Sequence, residues 1–322
     1  MAHSRPEILT ADTAGIDRAV AIWRKGGLVA FPTETVYGLG ADACNGPAVA
    51  AIYQAKGRPG FNPLIIHVAD LKTAERFAVF DDLARRLAAV FWPGPLSLIL
   101  PIVPDSGLSP LVTAGLKTVA VRIPANPLAR RLLGQFGGAV AAPSANPSGR
   151  ISATTAAHVI DGLGGRIDAV LDGGACGIGL ESTILYPASN PPALLRPGGL
   201  AAEEIERFLH HRLARRDDPL HPLSPGQLAT HYAPRTTLRM NVKSPPKNAL
   251  WLGFGPDCAG ATLNLSPKSD LIEAASNLFS FLHRIDKQAE AEGKPLIAVA
   301  PIPETGLGVA INDRLKRAAA ME

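Results

Sequence analysis

Apolar residues along this chain recur at two periods, and the switching between them sets out its elements. Over 12–25, Ile16, Ala19, Val20 and Trp23 fall on one helical face, with Asp12 as cap and Gly26-Gly27 as stop. Leu28 to Phe31 reads as a short strand halted by Pro32. Val49, Ile52 and Tyr53 return to helical spacing and predict a helix closed by Lys56 and Gly57. Arg58-Pro59 then turns the chain out of the helical region, because the residue before a proline disfavours it. A strand rich in Leu and Ile is expected over 64–69, carrying His67. Further helices are expected near 81–91, 127–136, 154–163 and 202–215, and strands at 96–101, 118–123, 139–142, 168–172, 182–186 and 193–196. The 139–142 run is apolar at consecutive positions, as in a strand buried on both faces. Alternating strands and helices argue an α/β fold, with strand order not readable.

Periodicity stops near 217. Asp217-Asp218-Pro219, Pro222 and Pro225-Gly226 lie in a stretch that reads as a linker over 217–244. It is unusual in carrying Ser224-Pro225-Gly226 and His231-Tyr232-Ala233-Pro234, since a passive tether needs no aromatic beside an imidazole. A second series follows: strands over 248–254, 261–265 and 295–300, and helices over 269–290 and 310–320. That is a small α/β domain of about the minimum size that folds alone.

Composition narrows the class. The 322 residues are 47% hydrophobic and 19% charged, enough for one large domain and a smaller one. No apolar run approaches the roughly 18 residues of a membrane helix, and Glu7 and Asp12 interrupt any signal-peptide core. Cys44, Cys176 and Cys258 lie far apart, matching neither a disulfide framework nor a zinc site, so a cytoplasmic location is expected. A net charge of +4 over this length does not by itself indicate nucleic-acid binding.

The candidate chemistry lies just beyond the strands. There is no Walker loop and no Gly-x-Ser-x-Gly elbow. Gly38-x-Gly40-x-x-Ala43 fits the dinucleotide fingerprint only formally, because Pro32 to Tyr37 separate it from the preceding strand. What remains is Thr33-Glu34-Thr35 after the first strand, the Lys56-Gly57-Arg58-Pro59 to His67 segment, and Arg122 within an apolar strand. Pro143-Ser144-Ala145-Asn146, Glu181-Ser182-Thr183 and Arg196-Pro197-Gly198 complete the set. Each alone reads more simply as structural: Arg122 as an ion-pair partner, Ser144 and Asn146 as turn formers, Ser182 as a cap. Together they favour a site, since α/β sheets bind ligands where loops from several strand ends converge. Lys56, Arg58, His67, Arg122 and Arg196 stand against Glu34 and Glu181, and no Cys or Ser is paired with a recognisable base. Such a site positions anions and disperses charge, as phosphoryl or nucleotidyl transfer requires.

Pro32-Thr33-Glu34-Thr35-Val36-Tyr37-Gly38-Leu39-Gly40, the segment from Lys56 to His67, Trp92-Pro93-Gly94-Pro95-Leu96, Val119 to Pro124, Pro143 to Gly149, and Glu181-Ser182-Thr183-Ile184 together resemble the YrdC-like family. His231-Tyr232-Ala233-Pro234 and Ala310-Ile311-Asn312-Asp313-Arg314-Leu315 resemble its long, two-domain form, so the likeness runs from about residue 12 to the C-terminus. The resemblance implies a large YrdC-like α/β domain over 1–216 with a twisted sheet and a concave basic site. A linker and lid over 217–244 and a small Rossmann-like α/β domain over 245–322 follow. It implies that L-threonine, bicarbonate and ATP, with Mg²⁺, become L-threonylcarbamoyl-adenylate and diphosphate. A separate tRNA threonylcarbamoyl transferase would then modify the adenosine next to the anticodon, with direct tRNA binding by this chain left open.

Carried over by position, the resemblance gives Thr33, His67, Arg122 and Ser182 to threonine. It gives Lys56, Arg58, Asn62, Thr113, Ser144, Asn146, Ser152, Arg196 and Tyr232 to the nucleotide, with Lys56 and Arg58 spreading the charge of departing diphosphate. The chain departs from the family pattern at Asn126, where His is common, at Ala153, where Pro is usual, and over Gln227-Leu228-Ala229-Thr230. Two other readings compete. An RNA-binding module is disfavoured by the scarcity of Lys-rich stretches and by aromatics at only 5%. The hydrogenase-maturation carbamoyltransferases share the YrdC-like domain but carry Cys-rich zinc modules, which three scattered cysteines cannot supply.

Overall fold

The computed structural model describes residues 5–216 and 231–320. In the first stretch eleven strands share one mixed sheet: β1 (Glu7–Leu9), β2 (Val29–Phe31), β3 (Gly38–Asp42), β4 (Ile65–His67), β5 (Leu96–Pro101), β6 (Thr118–Arg122), β7 (Val140–Ala141), β8 (Ala169–Leu171), β9 (Thr183–Tyr186), β10 (Ala193–Arg196) and β11 (Ala214–Arg215). Their spatial order is β1-β8-β2-β3-β7-β4-β6-β5-β9-β10-β11. Parallel β4 and β6 run in register, which sets His67 beside Arg122.

The apolar periods locate most of these elements to within two residues, and the exceptions have physical causes. β3 reads Gly-Leu-Gly-Ala-Asp, a poor strand former, yet it lies between β2 and β7 and is antiparallel to both. Packing overrides propensity there: a Cβ on Gly40 would come within 2.7 Å of Trp23 and 2.9 Å of Phe31, and the Trp23 indole donates to the Gly40 carbonyl at 2.9 Å. The glycines of the formal dinucleotide fingerprint are therefore sheet residues. The helix expected over 202–215 ends at Leu209, where His210 turns left-handed at φ 58°, and Ala214–Arg215 instead pairs with β10.

The second stretch forms a four-stranded sheet of β12 (Thr237–Arg239), β13 (Ala249–Gly253), β14 (Leu263–Asn264) and β15 (Leu296–Val299), all parallel, in the order β12-β15-β13-β14. Helices Leu271–Glu292 and Leu307–Ala319 supply Phe279, Leu282, Ile311 and Leu315 to its core. β12 falls inside the expected linker over 217–244, so the second unit begins earlier than the pattern indicates. With only Leu238 buried among its three residues, it carries no readable period. Residues 217–230 of that linker, including Ser224-Pro225-Gly226 and the 227–230 departure, lie outside the described residues.

The two units share a core. Val36, Ile151 and Leu180 of the first pack into the same apolar cluster as Tyr232, Phe279 and Leu315. Polar contacts cross the same seam: Lys287 pairs with Asp161, the Gly306 amide donates to Glu203 at 3.0 Å, and His283 Nε2 lies 3.1 Å from the Ser152 carbonyl.

Candidate active site

A cavity open to solvent on one side lies where the strand ends meet. Eight of the thirteen expected site residues line it: Thr33, Arg58, His67, Arg122, Ser144, Ser182, Arg196 and Tyr232. The loop after β2 supplies the first wall. Pro32 stops the strand, and the Thr33 hydroxyl then closes a turn by donating to the Val36 carbonyl at 2.7 Å, with Thr35 Oγ1 also 2.7 Å away. Arg122, at the end of β6, is held on three sides. Its Nε donates to the Gly94 carbonyl at 3.1 Å, Nη1 to Thr35 Oγ1 at 2.9 Å, and Nη2 to Glu34 Oε1 at 2.5 Å. Burial pushes the Glu34 carboxyl up, but the Arg122 charge and hydrogen bond outweigh it and the net direction is down, so the pair is ionic.

His67 is not a cation here. Burial and then the neighbouring Arg122 push its imidazole down to about 3, and its Nδ1 is buried without a partner. A neutral ring with a free nitrogen beside a guanidinium recognises a polar group and adds no charge. Ser182 precedes β9 and shares a 2.8 Å hydrogen bond with Ser97 on β5. Arg196, on antiparallel β10, donates Nη2 to the Ser182 carbonyl at 2.8 Å and to its hydroxyl at 3.2 Å. That approach depends on Gly198: a Cβ there would sit 2.4 Å from the Glu181 carbonyl oxygen and 2.5 Å from the Ser182 backbone.

The Lys56 segment is anchored as its sequence suggests. Gly57 caps the helix Gly46–Lys56 in the left-handed region at φ 61°, a conformation glycine adopts freely. Arg58 then folds over its own loop, donating to the Asn62 carbonyl at 3.1 Å and the Pro63 carbonyl at 2.8 Å, and burial brings it down to about 10. Lys56 Nζ donates to the Ser144 and Asn146 carbonyls at 2.6 and 2.5 Å. Burial, followed by repulsion from Arg58, lowers its ammonium well below the usual lysine range.

The remaining expected residues lie off the cavity wall. Lys56 and Asn146 stand behind Ser144, and Ser152 stands behind Glu181 through a 2.5 Å hydrogen bond. Asn62 is buried with neither side-chain atom hydrogen-bonded. Thr113 is not brought in: its hydroxyl donates to the Pro110 carbonyl at 3.3 Å, and it lines a separate surface groove with Pro104 and Lys117.

Two participants escape a reading of the sequence for site residues, while Thr35, already among the candidate polar groups, serves as a partner of Arg122. Ser97 is the partner of Ser182, and its only hint is a hydroxyl inside the apolar run Leu96-Ser97-Leu98-Ile99. Arg314 comes from the second unit and reaches Glu181 at 2.8 Å. Its signal is a cation between Ile311 and Leu315 on an apolar helix face. The far wall is His231 and Tyr232, whose rings meet edge to face at 4.0 Å. Burial takes His231 down to about 3 and raises the Tyr232 phenol, so both are neutral.

With three buried guanidiniums, several hydroxyls and no activated nucleophile, this cavity suits a ligand carrying carboxylate and phosphate groups. Similarity to known proteins points the same way. Residues 21–198 match the family model Sua5_yciO_yrdC, described as telomere recombination. Residues 200–320 match the model described as threonylcarbamoyl-AMP synthase, C-terminal domain. The chain is 42% identical to threonylcarbamoyl-AMP synthase of Bacillus subtilis over 97% of its own length and 94% of that protein's. Against the Pyrococcus abyssi protein of the same name it is 39% identical, over 93% and 92%. Among solved structures, P. abyssi Sua5 complexed with L-threonine superposes with a TM-score of 0.88 at 36% identity, covering 98% of each chain.

Proposed function

The chain belongs to the Sua5–YciO–YrdC family in the two-domain form that carries the threonylcarbamoyl-AMP synthase C-terminal domain, and from that premise we propose how its cavity works. It is an enzyme that joins L-threonine, bicarbonate and ATP into L-threonylcarbamoyl-AMP, releasing diphosphate and water. The observation that carries this reading is one cavity lined at once by Arg58, Arg122 and Arg196, by the hydroxyls of Thr33 and Ser182, and by Val36, Ile65 and Ala142. A carboxylate, a hydroxyl, a methyl group and a phosphate each find complementary chemistry there.

Threonine binds on the Arg122 side. Its carboxylate pairs with the guanidinium, its hydroxyl lies within the reach of Thr33, Ser182 and neutral His67, and its methyl faces the apolar atoms. The nucleotide lies toward Arg58, Ser144, Arg196 and Tyr232, with Lys56, Asn62, Asn146 and Ser152 supporting that wall. Thr113 is the weakest of the expected nucleotide residues, because its hydroxyl is committed to the Pro110 carbonyl outside the cavity. The unprotonated threonine amine takes up carbon from bicarbonate with loss of water to give a carbamate, a water-sensitive species that the walls from both units shield. A carbamate oxygen then attacks the α-phosphorus, and the P–O bond to diphosphate breaks. Arg58 stabilises the departing charge, with Lys56 behind Ser144 fixing the loop it faces, and the transfer of AMP to the carbamate makes the step a nucleotidyl transfer.

Magnesium enters as the MgATP substrate. Among the described residues no cluster of three or more acidic, His or Cys side chains is arranged for a metal, and Glu34 and Glu181 are both committed to arginines. The product passes to a tRNA threonylcarbamoyl transferase. Cytoplasm, where ATP and tRNA meet, is the expected compartment, and no helix among the described residues is long and apolar enough to cross a membrane. The test is mass spectrometry of the purified protein with ATP, threonine and ¹³C-bicarbonate. A threonylcarbamoyl-adenylate heavier by one unit is expected; ATP cleavage without it, or an adenylate lacking the label, overturns the reading.

A further inference from the structure

The second unit reaches the cavity through His231 and Tyr232, and behind them stands Arg314. This guanidinium is completely buried, on a helix whose neighbours Ile311 and Leu315 belong to the core. Nε donates to Glu181 Oε2 at 2.8 Å across the seam, Nη1 to Asp313 Oδ2 at 2.6 Å, and the guanidinium carbon lies 5.1 Å above the centre of the Tyr232 ring. Nη2 is buried with no hydrogen-bond partner. If the only purpose were to hold two units together, apolar packing would do it with less desolvation than a buried charge with a donor left over.

What the guanidinium touches is more telling than the pair itself. Glu181 and Tyr232 both line the cavity, whereas Arg314 does not. The other oxygen of Glu181 accepts the Ser152 hydroxyl, so this carboxylate is fixed from both units. Tyr232 takes φ 66°, a left-handed conformation that a bulky residue holds only where its surroundings over-determine it. Phe279 on one side, His231 on another and Arg314 over the ring supply that constraint. We propose that Arg314 is a positioning residue for the nucleotide half of the site, holding the Glu181 carboxylate and the Tyr232 ring as walls of the cavity. The second unit thereby completes the site as well as anchoring the segment before it. This rests on the functional reading above for which half of the cavity takes ATP.

The test is a double-mutant cycle on the full-length protein with Arg314→Gln, Tyr232→Ala and the two combined, plus Arg314→Lys. For Arg314→Gln the KM for ATP is expected to rise about tenfold, the scale of a desolvated cation–π contact, while threonine affinity stays at the wild-type value. Arg314→Lys, which keeps the charge on Glu181 and loses the planar face, should fall between. The combined variant should be little worse than Tyr232→Ala alone. Additive effects, an unchanged ATP KM in a folded Arg314→Gln protein, or a parallel loss of threonine affinity would each overturn the proposal. If Arg314→Gln does not fold, the same cycle run with Arg314→Lys decides. Calorimetry with a non-hydrolysable ATP analogue repeats the cycle without turnover. A wild-type protein that makes no threonylcarbamoyl-adenylate would defeat the functional reading, while the calorimetric cycle would still judge Arg314.

Discussion

Two buried arginine–carboxylate pairs frame the cavity, and they are assembled differently. Arg122 finds Glu34, Thr35 and the Gly94 carbonyl within the eleven-stranded sheet unit. Arg314 finds Glu181 in that unit, but Asp313 and Tyr232 beyond it, so its surroundings exist only once the two units have docked. Both bury charge at the expense of hydration and recover it through hydrogen bonds. The first pair is set by the folding of one sheet, the second by the joining of two cores. The side of the cavity proposed for threonine is therefore preformed by the first unit, and the side proposed for the nucleotide depends on both.

The sharpest way to break this comparison is Arg122→Ala. It leaves the Glu34 carboxylate buried without its cation and takes away the partner proposed for the substrate carboxylate. Removing one member of the pair costs about 3–5 kcal/mol of stability, and losing one partner of a buried charge pair with a ligand costs about 2–5 kcal/mol of binding, so threonine affinity should fall at least about thirtyfold while binding of an ATP analogue changes little. Titration calorimetry with each ligand separately reads both. Equal losses for the two ligands would mean that the halves are not independent.

A second substitution should strike both halves together. Gly198 lies against the Glu181–Thr183 backbone, where an added Cβ would meet three backbone atoms at 2.4–2.5 Å. No side chain can yield there, so Gly198→Ala must displace the segment carrying both Glu181 and Ser182. Overpacking of this kind costs about 1–3 kcal/mol of stability, and affinity for threonine and for nucleotide should drop in parallel. Thermal unfolding and the same two titrations check it; a variant weakened for one ligand only would show the segment moving as separate pieces.

Arg122 was legible in the sequence as a site residue, though not its pairing with Glu34, and Arg314 was not, for a reason visible in their surroundings. Arg122 closes an apolar strand within Val119-Ala120-Val121-Arg122, a placement that stands out against the pattern, and its strand and neighbours were located nearly to the residue. Arg314 belongs to a motif the sequence displays, but its meaning lies in contacts with Glu181, 133 positions earlier, and with Tyr232. No period or spacing encodes a docking of two units. The same limit hid β3, whose glycines are dictated by Trp23 and Phe31, and β12, whose three residues become a strand only by pairing with β15. Thr113 shows the converse: a position carried over by motif need not reach the cavity.

The seam itself can be probed by pH. His158 stacks on His283 with ring centres 4.0 Å apart, one from each unit, among Lys287, Asp161 and Asp286. Burial, and then the charges of His283 and Lys287, bring His158 down to about 4; burial also lowers His283. An unfolded imidazole titrates near 6.5, so below about that pH the unfolded chain binds more protons than the folded one. The stabilisation from neutral His158 is therefore complete above about pH 6.5 and is lost as pH falls toward 4. His158→Gln should flatten the decline by less than about 1.4 kcal/mol per pH unit, the limit for one proton. Urea midpoints at neutral pH and at several points down to 4.5 give the slopes. Identical slopes would show that the pair does not report on the docking of the units.

The smallest expected effect refines the threonine half from within. Val36, Ile65 and Ala142 give the cavity its apolar atoms, close to the strand ends that carry His67 and Arg122. If the substrate methyl rests against them while its carboxylate is held by Arg122, then serine loses one buried carbon and nothing else. That is worth about 0.8 kcal/mol, roughly a fourfold drop in kcat/KM. Because methyl and carboxylate are read by different walls, the serine penalty should persist at the same size in Arg122→Lys, where overall threonine use is weaker; contributions from separated contacts add. Competition between threonine and serine, followed by mass spectrometry of the two adenylates, measures the ratio in both proteins. A ratio of one in the wild type would mean that the apolar wall is not used. A ratio that collapses only in Arg122→Lys would mean that Arg122 sets the depth at which the methyl sits, joining two contacts that the geometry presents as separate.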